Sequence, residues 1–342
     1  MSSGQKVAVF GAYGHTGRFV VAELVERGFV PVLSGRDAEK LREFAASLPG
    51  VEARPASVDD PASLDRALAG AAAVINAAGP FASTATPVIE AALRAGIPYV
   101  DVAAEIEANV DTFERFAEPA RAAGTAVVPA MAFFGGLGDL LVSAALGDRT
   151  AADEVHVAYG LSGWQPTAGS RASGAVSRQR RTHGRQVRYT KGRLEYGDEA
   201  QPTLKWSFPE PLGVRDVIGD FTMADVVTVP SHVAVPEVRT YMAVEAAREV
   251  AAADTPAPAA ADERGRSAQT FLVDVVVRSG GEERRAVASG RDIYAVSAPL
   301  AVEAVDRLVT GRSRTVGVAS AGAMFDAPDF LRALSAHLTV EL

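Results

Sequence analysis

The first 130 residues alternate short apolar runs with stretches of helical period. The run KVAVF from Lys6 has no polar alternation before Gly11, the pattern of a strand buried on both faces. From Thr16 the spacing changes. Val20 and Leu24, then Val21 and Val25, recur four apart, and Gly28 is placed to end a helix. Val30–Leu33 predicts a second strand and Asp37–Leu48 a second helix, with Leu41, Phe44, Ala45 and Leu48 on one face. A short strand near Val51–Ser57 leads to Asp60-Pro61, an N-cap followed by proline at the first helical position. Ala73–Ala78 and Tyr99–Val102 predict further strands around a helix from Thr86-Pro87 to Gly96. A helix over Ile106–Ala123 and a strand over Thr125–Val128 follow. Strands and helices repeating at this spacing predict an α/β fold with a doubly wound parallel sheet.

The pattern alters after a helix predicted for Gly138–Gly147. Glu154–Gly160, Thr270–Arg278 and Arg284–Ser289 read as strands of a mixed or antiparallel sheet. Ala251–Ser267, rich in alanine and proline and then charged, reads as a surface loop. Tyr294–Leu308 and Phe325–Leu338 read as helices. The expected division is a first domain over 1–130 and a second over 131–310, with 311–342 free to return to the first.

Composition changes this picture little. At 342 residues, 48% hydrophobic and 22% charged, the chain suits one large or two modest globular domains. It has no cysteine, which excludes disulfide frameworks, thiolate metal sites and cysteine nucleophiles, and fits a reducing compartment. Five scattered histidines show no paired ligand spacing, so no metal site is expected. The opening MSSGQK lacks the regions of a signal peptide. The uncharged stretch Ala67–Ile89 is interrupted by Asn76, Gly79-Pro80 and Pro87, unlike a spanning helix. A cytoplasmic chain without membrane spans is the expectation.

A net charge of −8 argues against bulk nucleic-acid binding. Charge is uneven, however. Arg171, Arg178, Arg180, Arg181, Arg185, Arg188, Lys191 and Arg193 form a basic segment without an acid. That segment would either grip an anionic substrate or dock an acidic carrier, or else be a solvated loop. Gly169-Ser170-Arg171-Ala172-Ser173 ahead of it suggests an anion-holding turn.

Candidate chemistry begins between the first strand and first helix. Gly11, Gly14 and Gly17 sit in the order that a dinucleotide site requires: a tight turn, close backbone approach to a pyrophosphate, and close strand–helix packing. The whole loop, with Tyr13, His15 and Thr16, is the expected phosphate cradle; an ordinary βα turn is the alternative. At the end of the second strand, Ser34-Gly35-Arg36 replaces the carboxylate that would bind a ribose 2′-hydroxyl. A guanidinium there matches a 2′-phosphate, so NADP is favoured over NAD unless Arg36 is only a solvated charge. Asp37 is explained as a helix N-cap. Ala78, Gly79 and Pro80 end the fourth strand, where small residues let the backbone run close to a nicotinamide ribose.

These landmarks, GAYGHTG, LSGRD, VINAAGPF, AGIPYVDVAAE and VPAMAFFGGLGD, resemble in order those of saccharopine dehydrogenase-like oxidoreductases. That group includes trans-acting enoyl reductases of polyketide-lipid pathways. The resemblance covers about the first 140 residues and continues more thinly in PTAGSRAS, VTVPSHVAVPEV and VGVASAGAMFD. It implies an N-terminal NADP-binding Rossmann domain, a second α+β substrate domain on a mixed sheet, and a homodimer. Ala103-Ala104-Glu105 stands where the family often has Thr-Gly-Glu, and Phe134-Gly135-Gly136 where it often has Asp-Ser-Val. The second change removes a polar pair from the expected cleft and argues against saccharopine as substrate.

With a nicotinamide cofactor, the protein positions the acceptor and supplies a proton or polarising donor. None of the seven tyrosines has lysine four residues on, which excludes the short-chain reductase arrangement; of the four lysines, Lys191 and Lys205 are weak candidates. Asp101 and Glu105 follow the fifth strand and could orient substrate or relay a proton, Glu105 equally serving as a helix-terminal acid. His232, in Pro230-Ser231-His232, is a candidate donor or a partly buried loop histidine. The function expected is an NADPH-dependent reductase acting on a polarised C=C or C=N bond of a small organic substrate, anionic or carrier-bound, in specialised metabolism. A non-catalytic NADP-binding sensor is the alternative.

Overall fold

Side chains of a strand alternate between its faces, and in β1 (Lys6–Phe10) both faces are buried. Val7 and Val9 enter one apolar core, Ala8 and Phe10 another. The run therefore carries no polar alternation. The computed structural model describes residues 4–181 and 185–342. From β1 the chain continues through α1 (His15–Glu26), β2 (Val30–Gly35), α2 (Ala38–Ala46), β3 (Glu52–Pro55), α3 (Pro61–Leu68), β4 (Ala73–Asn76), α4 (Phe81–Ala95), β5 (Tyr99–Asp101), α5 (Ile106–Ala122) and β6 (Ala126–Val128). These strands lie in the order β3-β2-β1-β4-β5-β6, all parallel. The order reverses between β1 and β4, which opens a crevice beyond their carboxyl ends.

A turn over Phe133–Leu137 leads to α6 (Gly138–Leu146), β7 (Glu154–Leu161), α7 (Ala168–Arg180), β8 (Gln186–Thr190), β9 (Arg193–Gly197), β10 (Thr203–Ser207), β11 (Val214–Gly219), α8 (Asp225–Thr228), β12 (Val238–Ala243), α9 (Val244–Ala251), β13 (Thr270–Ser279) and β14 (Glu282–Arg291). The chain ends with α10 (Ser297–Val309), β15 (Gly317–Val318), α11 (Ala321–Met324), α12 (Ala327–Ala333) and β16 (Thr339–Glu341). The second sheet has the order β10-β11-β12-β7-β13-β14-β16, with the β8–β9 hairpin attached to β12. It is mixed, because β12 and β7 run parallel while the other pairs are antiparallel. The architecture is thus a parallel sheet joined to a second, mixed-sheet unit.

The two sheets share their covering elements. Helices α3, α4 and α5 bury one face of the first sheet, whereas α1 and α2 reach only part of the other. The remainder, including Ile75 and Val100, is covered by α10, whose Val302 and Val305 are fully buried. β15 adds to the first sheet beside β6, while β16 adds to the second beside β14. The segment 311–342 therefore serves both sheets, and the expected helix over Phe325–Leu338 is the shorter α12, with α11 before it and β16 after it. Asp326 caps α12 by accepting the Asp329 N–H, Pro328 stands at its start, and Thr339–Glu341 leaves the helix to pair with β14. No helix among the described residues is long and apolar enough to cross a membrane.

One buried carboxylate ties α8 to the second sheet. Asp225 is fully buried and accepts the Tyr159 hydroxyl at 2.8 and 3.0 Å. Burial pushes its pKa up to about 7 against that hydrogen bond, with Asp139 adding repulsion. Because the folded value lies above the unfolded one, the folded state holds the extra proton. The associated stability is full below about pH 4 and is lost as pH rises towards 7. Asp225→Asn keeps an oxygen for Tyr159 and removes the titration. Denaturant unfolding should show the variant losing roughly 2 kcal/mol less than the parent between pH 5 and 8. Equal losses would show that Asp225 is not the group responsible.

Candidate functional site

The loop after β1 is shaped by two glycines that tolerate no side chain. Gly11 has φ +88°, and a Cβ there would stand 2.8 Å from the Ala78 nitrogen and Cβ. A Cβ on Gly17 would overlap the Gly11 carbonyl oxygen. Gly14 differs: its Cβ position meets only the Gly11 oxygen, at 3.1 Å, so the space beside it faces outward. No side chain caps α1, and its first turn holds no acid. In contrast, Asp37 caps α2, Asp60 caps α3 and Thr167 caps α7. An uncapped helix start presents free N–H groups and partial positive charge.

Beside this loop, Tyr13 lies over Gly35, whose Cβ would stand 2.9 Å from the ring. Arg18 donates to the Tyr13 carbonyl at 3.1 Å and lays its guanidinium over Phe44. Arg36 is exposed at the end of β2 and has no ion pair among the described residues. Asp37 is occupied by the Glu39 and Lys40 backbone N–H groups. Ser34 Oγ and His15 Nε2 are buried without a hydrogen-bond partner among the described residues. Burial lowers the His15 pKa, with Asp292 opposing.

The end of β4 is stiffened from beneath. Asn76 Oδ1 accepts the Ala78 N–H at 3.0 Å, Thr84 donates to the Ala78 carbonyl, and Asn76 Nδ2 lies 3.1 Å from the Tyr99 hydroxyl. Tyr99 in turn donates to Asp101 Oδ2 at 2.8 Å. Asp101 Oδ1 accepts the Ala103 and Ala130 N–H groups at 3.0 and 2.8 Å. Burial pushes its pKa up to about 6 against these bonds. Glu105 reaches across to α4, where its two oxygens accept the Phe81 and Ala82 N–H groups at 2.7 and 2.9 Å. At 1% and 5% exposure, both residues are buried. Of these two residues expected to orient substrate or relay a proton, Asp101 ties the β5 and β6 ends together and Glu105 caps α4.

His232 does not join them. Its Nε2 lies 2.7 Å from Asp139 Oδ1 on α6, and Asp139 Oδ2 accepts the Gly322 N–H. Burial disfavours its charged form, but Asp139 prevails and holds the pKa above the usual imidazole value.

The second half closes over the loop through Tyr294 and α7. The Tyr294 ring meets the His15 ring edge-on at 5.3 Å. Ser173 Oγ lies 2.5 Å from where a Gly79 Cβ would be. Residues 168–173 form the first turns of α7, not a separate anion-holding turn, because Thr167 accepts the Ser170 N–H and starts the helix. The basic segment is largely neutralised. Arg171 donates to the Ala252 and Thr255 carbonyls, Arg180 pairs with Asp111, Arg181 with Glu107, Arg185 with Asp198, Arg188 with Glu195 and Glu199, and Arg193 with Glu195. These acids come from α5 and the chain around β9, which sequence spacing does not reveal. Residues 182–184 of this segment lie outside the described residues. Lys191 sits on the β8–β9 turn and Lys205 pairs with Asp216 on the neighbouring strand.

Residues 7–131 match the saccharopine dehydrogenase NADP binding domain. The match runs from β1 to the residues just after β6. A lipid droplet localized protein from Caenorhabditis elegans is 32% identical over 136 residues, which is 36% of this chain and 32% of that protein. A saccharopine dehydrogenase-like oxidoreductase from Bos taurus is 27% identical over 145 residues, 37% of this chain and 34% of its own length. The aligned part thus spans about a third of these curated relatives. Apo saccharopine dehydrogenase (L-Glu forming) from Saccharomyces cerevisiae matches in fold, with TM-score 0.65, 12% identity and 99% of each chain covered.

The residues fit the cofactor of the NADP-binding domain. The uncapped α1 start, the open side of Gly14, the unpartnered Ser34 and His15 atoms and the unpaired Arg36 gather at one crevice. The contributions missed by sequence reasoning come from Tyr294 and Ser173. Tyr294 sits in the turn before α10, and Ser173, expected in an anion-holding turn, instead stands against Gly79 from α7.

Two substitutions separate packing from binding. Gly17→Ala should lower unfolding stability by about 2–4 kcal/mol, while Gly14→Ala should change it by less than about 1 kcal/mol and still weaken NADP binding. Denaturant melts with cofactor titration check this; equal destabilisation by both would contradict it. Glu105→Gln should lower stability by about 1–2 kcal/mol as the α4 cap weakens. An unchanged unfolding midpoint would refute the capping role.

Proposed function

We propose that the chain is an NADP-dependent oxidoreductase that reduces a polarised C=C or C=N bond in a small organic substrate. The observation that carries this reading is the uncapped glycine loop with an unpaired arginine at the adjacent strand end, inside the matched NADP-binding domain. NADPH, when bound, supplies the hydride. The N–H groups at the start of α1 would hold its diphosphate, and Gly14 would allow the approach. Arg36 would pair with the 2′-phosphate by charge-assisted hydrogen bonds. Asn76, Asp101 and Glu105 act indirectly. They fix the β4, β5 and β6 ends against which the cofactor and substrate would lie.

A second reading, an NADP-binding sensor, draws on a specific observation. Asp101 accepts the Tyr99 hydroxyl and two backbone N–H groups, Glu105 accepts two backbone N–H groups, and His232 is paired with Asp139. Substrate-dependent loss of NADPH absorbance across a panel of enones and imines favours the oxidoreductase. Tight binding with no turnover on the whole panel favours the sensor.

Arg36→Ala tests the cofactor assignment. NADPH affinity should fall by about 10- to 100-fold, with NADH affinity changed less than about threefold. Equal losses for both cofactors would contradict the assignment.

A further inference from the structure

Tyr294 joins two places that are far apart in the chain. On one side its ring rests edge-on against His15, the first residue of α1 and part of the glycine loop. On the other its hydroxyl lies within hydrogen-bond distance of Trp164 Nε1 (3.2 Å), the Thr167 N–H (3.3 Å), Ser170 Oγ (3.0 Å) and the Gln165 carbonyl (3.3 Å). Those groups are the run into α7 and its first turn. Tyr294 is itself fixed, because fully buried Asp292 accepts the Tyr294 and Ala295 N–H groups and the Ser267 N–H.

Ser170, Ser173 and Ser177 recur at helical spacing, which puts them along one side of α7. Each meets a different element. Ser170 meets Tyr294, Ser173 stands against Gly79 at the end of β4, and Ser177 donates to Glu107 on α5 at 2.8 Å. Small side chains let the helix sit close to the carboxyl ends of the first sheet. That is the place where the nicotinamide end of a dinucleotide lies in this fold.

We infer that Tyr294 is a positioning residue that seats α7 over the nicotinamide end of the cleft, using His15 of the phosphate loop as its bearing surface. The inference rests on the NADP reading given above. Under it, α7 excludes water from the hydride-transfer site, and cofactor in the phosphate loop and cover over the nicotinamide are mechanically linked. The diphosphate contacts are left to the backbone of the loop, so losing the hydroxyl impairs the cover and spares the grip.

Tyr294→Phe isolates the hydroxyl because the ring against His15 remains. In the cofactor-free protein, amide hydrogen exchange over residues 168–177 should rise at least tenfold, with β4 and α4 unchanged. NADPH affinity should stay within about threefold of the parent, while the emission of bound NADPH moves towards that of the free cofactor. Ser170→Ala, which removes one hydrogen bond from the α7 side, should show the same changes more weakly and covers the case in which Tyr294→Phe does not fold. Parental exchange in α7 and parental emission would overturn the inference, and so would exchange that rises equally in β4. If the parent protein itself bound no NADPH, the NADP reading would fall instead, and the exchange result would still report whether Tyr294 holds α7.

Discussion

The start of α1 has no side-chain cap among the described residues, and it opens directly after the glycine loop. Four N–H groups begin every helix without a partner; Asp37, Asp60, Thr167 and Asp326 supply one locally and Glu105 reaches α4 from another loop, whereas α1, like α5, α6 and α9, has no side-chain cap. At α1 the cap position is Gly14, and the packing of Gly11 and Gly17 leaves the helix end facing a crevice. An anion is the natural complement, and the dipole favours it. The order of strands, the short β4 loop and the exposed Arg36 take their meaning from that vacancy of partners.

The second half is a structural requirement of the first. Without α10, Ile75 and Val100 would lose their cover. A cluster of charges reinforces this seam. Arg27 pairs with Glu23 at 2.7 Å and with Glu303 at 2.5 Å, while Glu303 also holds Arg307, a guanidinium 2% exposed that lies over the Phe330 ring. Breaking a pair this buried leaves an uncompensated charge, so its effect should exceed that of the many surface pairs. The shared seam also makes movement of the whole second unit a poor route to opening the cleft. A single helix such as α7, held by hydrogen bonds and small side chains, is easier to displace.

Some of this organisation was legible in the chain and some was not, for physical reasons. The parallel strands could be read because burial on both faces leaves unbroken apolar runs, as in β1, and because glycine and proline mark their ends. The strands β8 to β11 could not. Their sequences, such as QVRYT and TLKWS, mix charged and apolar residues without the unbroken apolar runs of the first sheet. Helix α7 was hidden because the side it buries is serine, not leucine. Asp101 and Glu105 illustrate a deeper ambiguity. A carboxylate at a strand end reads alike whether it will meet a substrate or a backbone N–H, and only the fold shows that Phe81 and Ala82 stand opposite Glu105. The basic segment left its alternatives open for the same reason, since Asp111 and Glu107, which pair with Arg180 and Arg181, lie on α5.

The central claim is that the loop from Gly11 to Gly17 holds a diphosphate while Arg36 recognises a phosphorylated ribose. Backbone amide resonances of the isotopically labelled protein, followed during titration, test it most directly. NADP should shift the amides of Tyr13, His15, Thr16 and Gly17 together with Arg36, while NAD should shift the loop amides at higher concentration and leave Arg36 in place. Loop amides that stay still with both nucleotides at millimolar concentration would contradict the account.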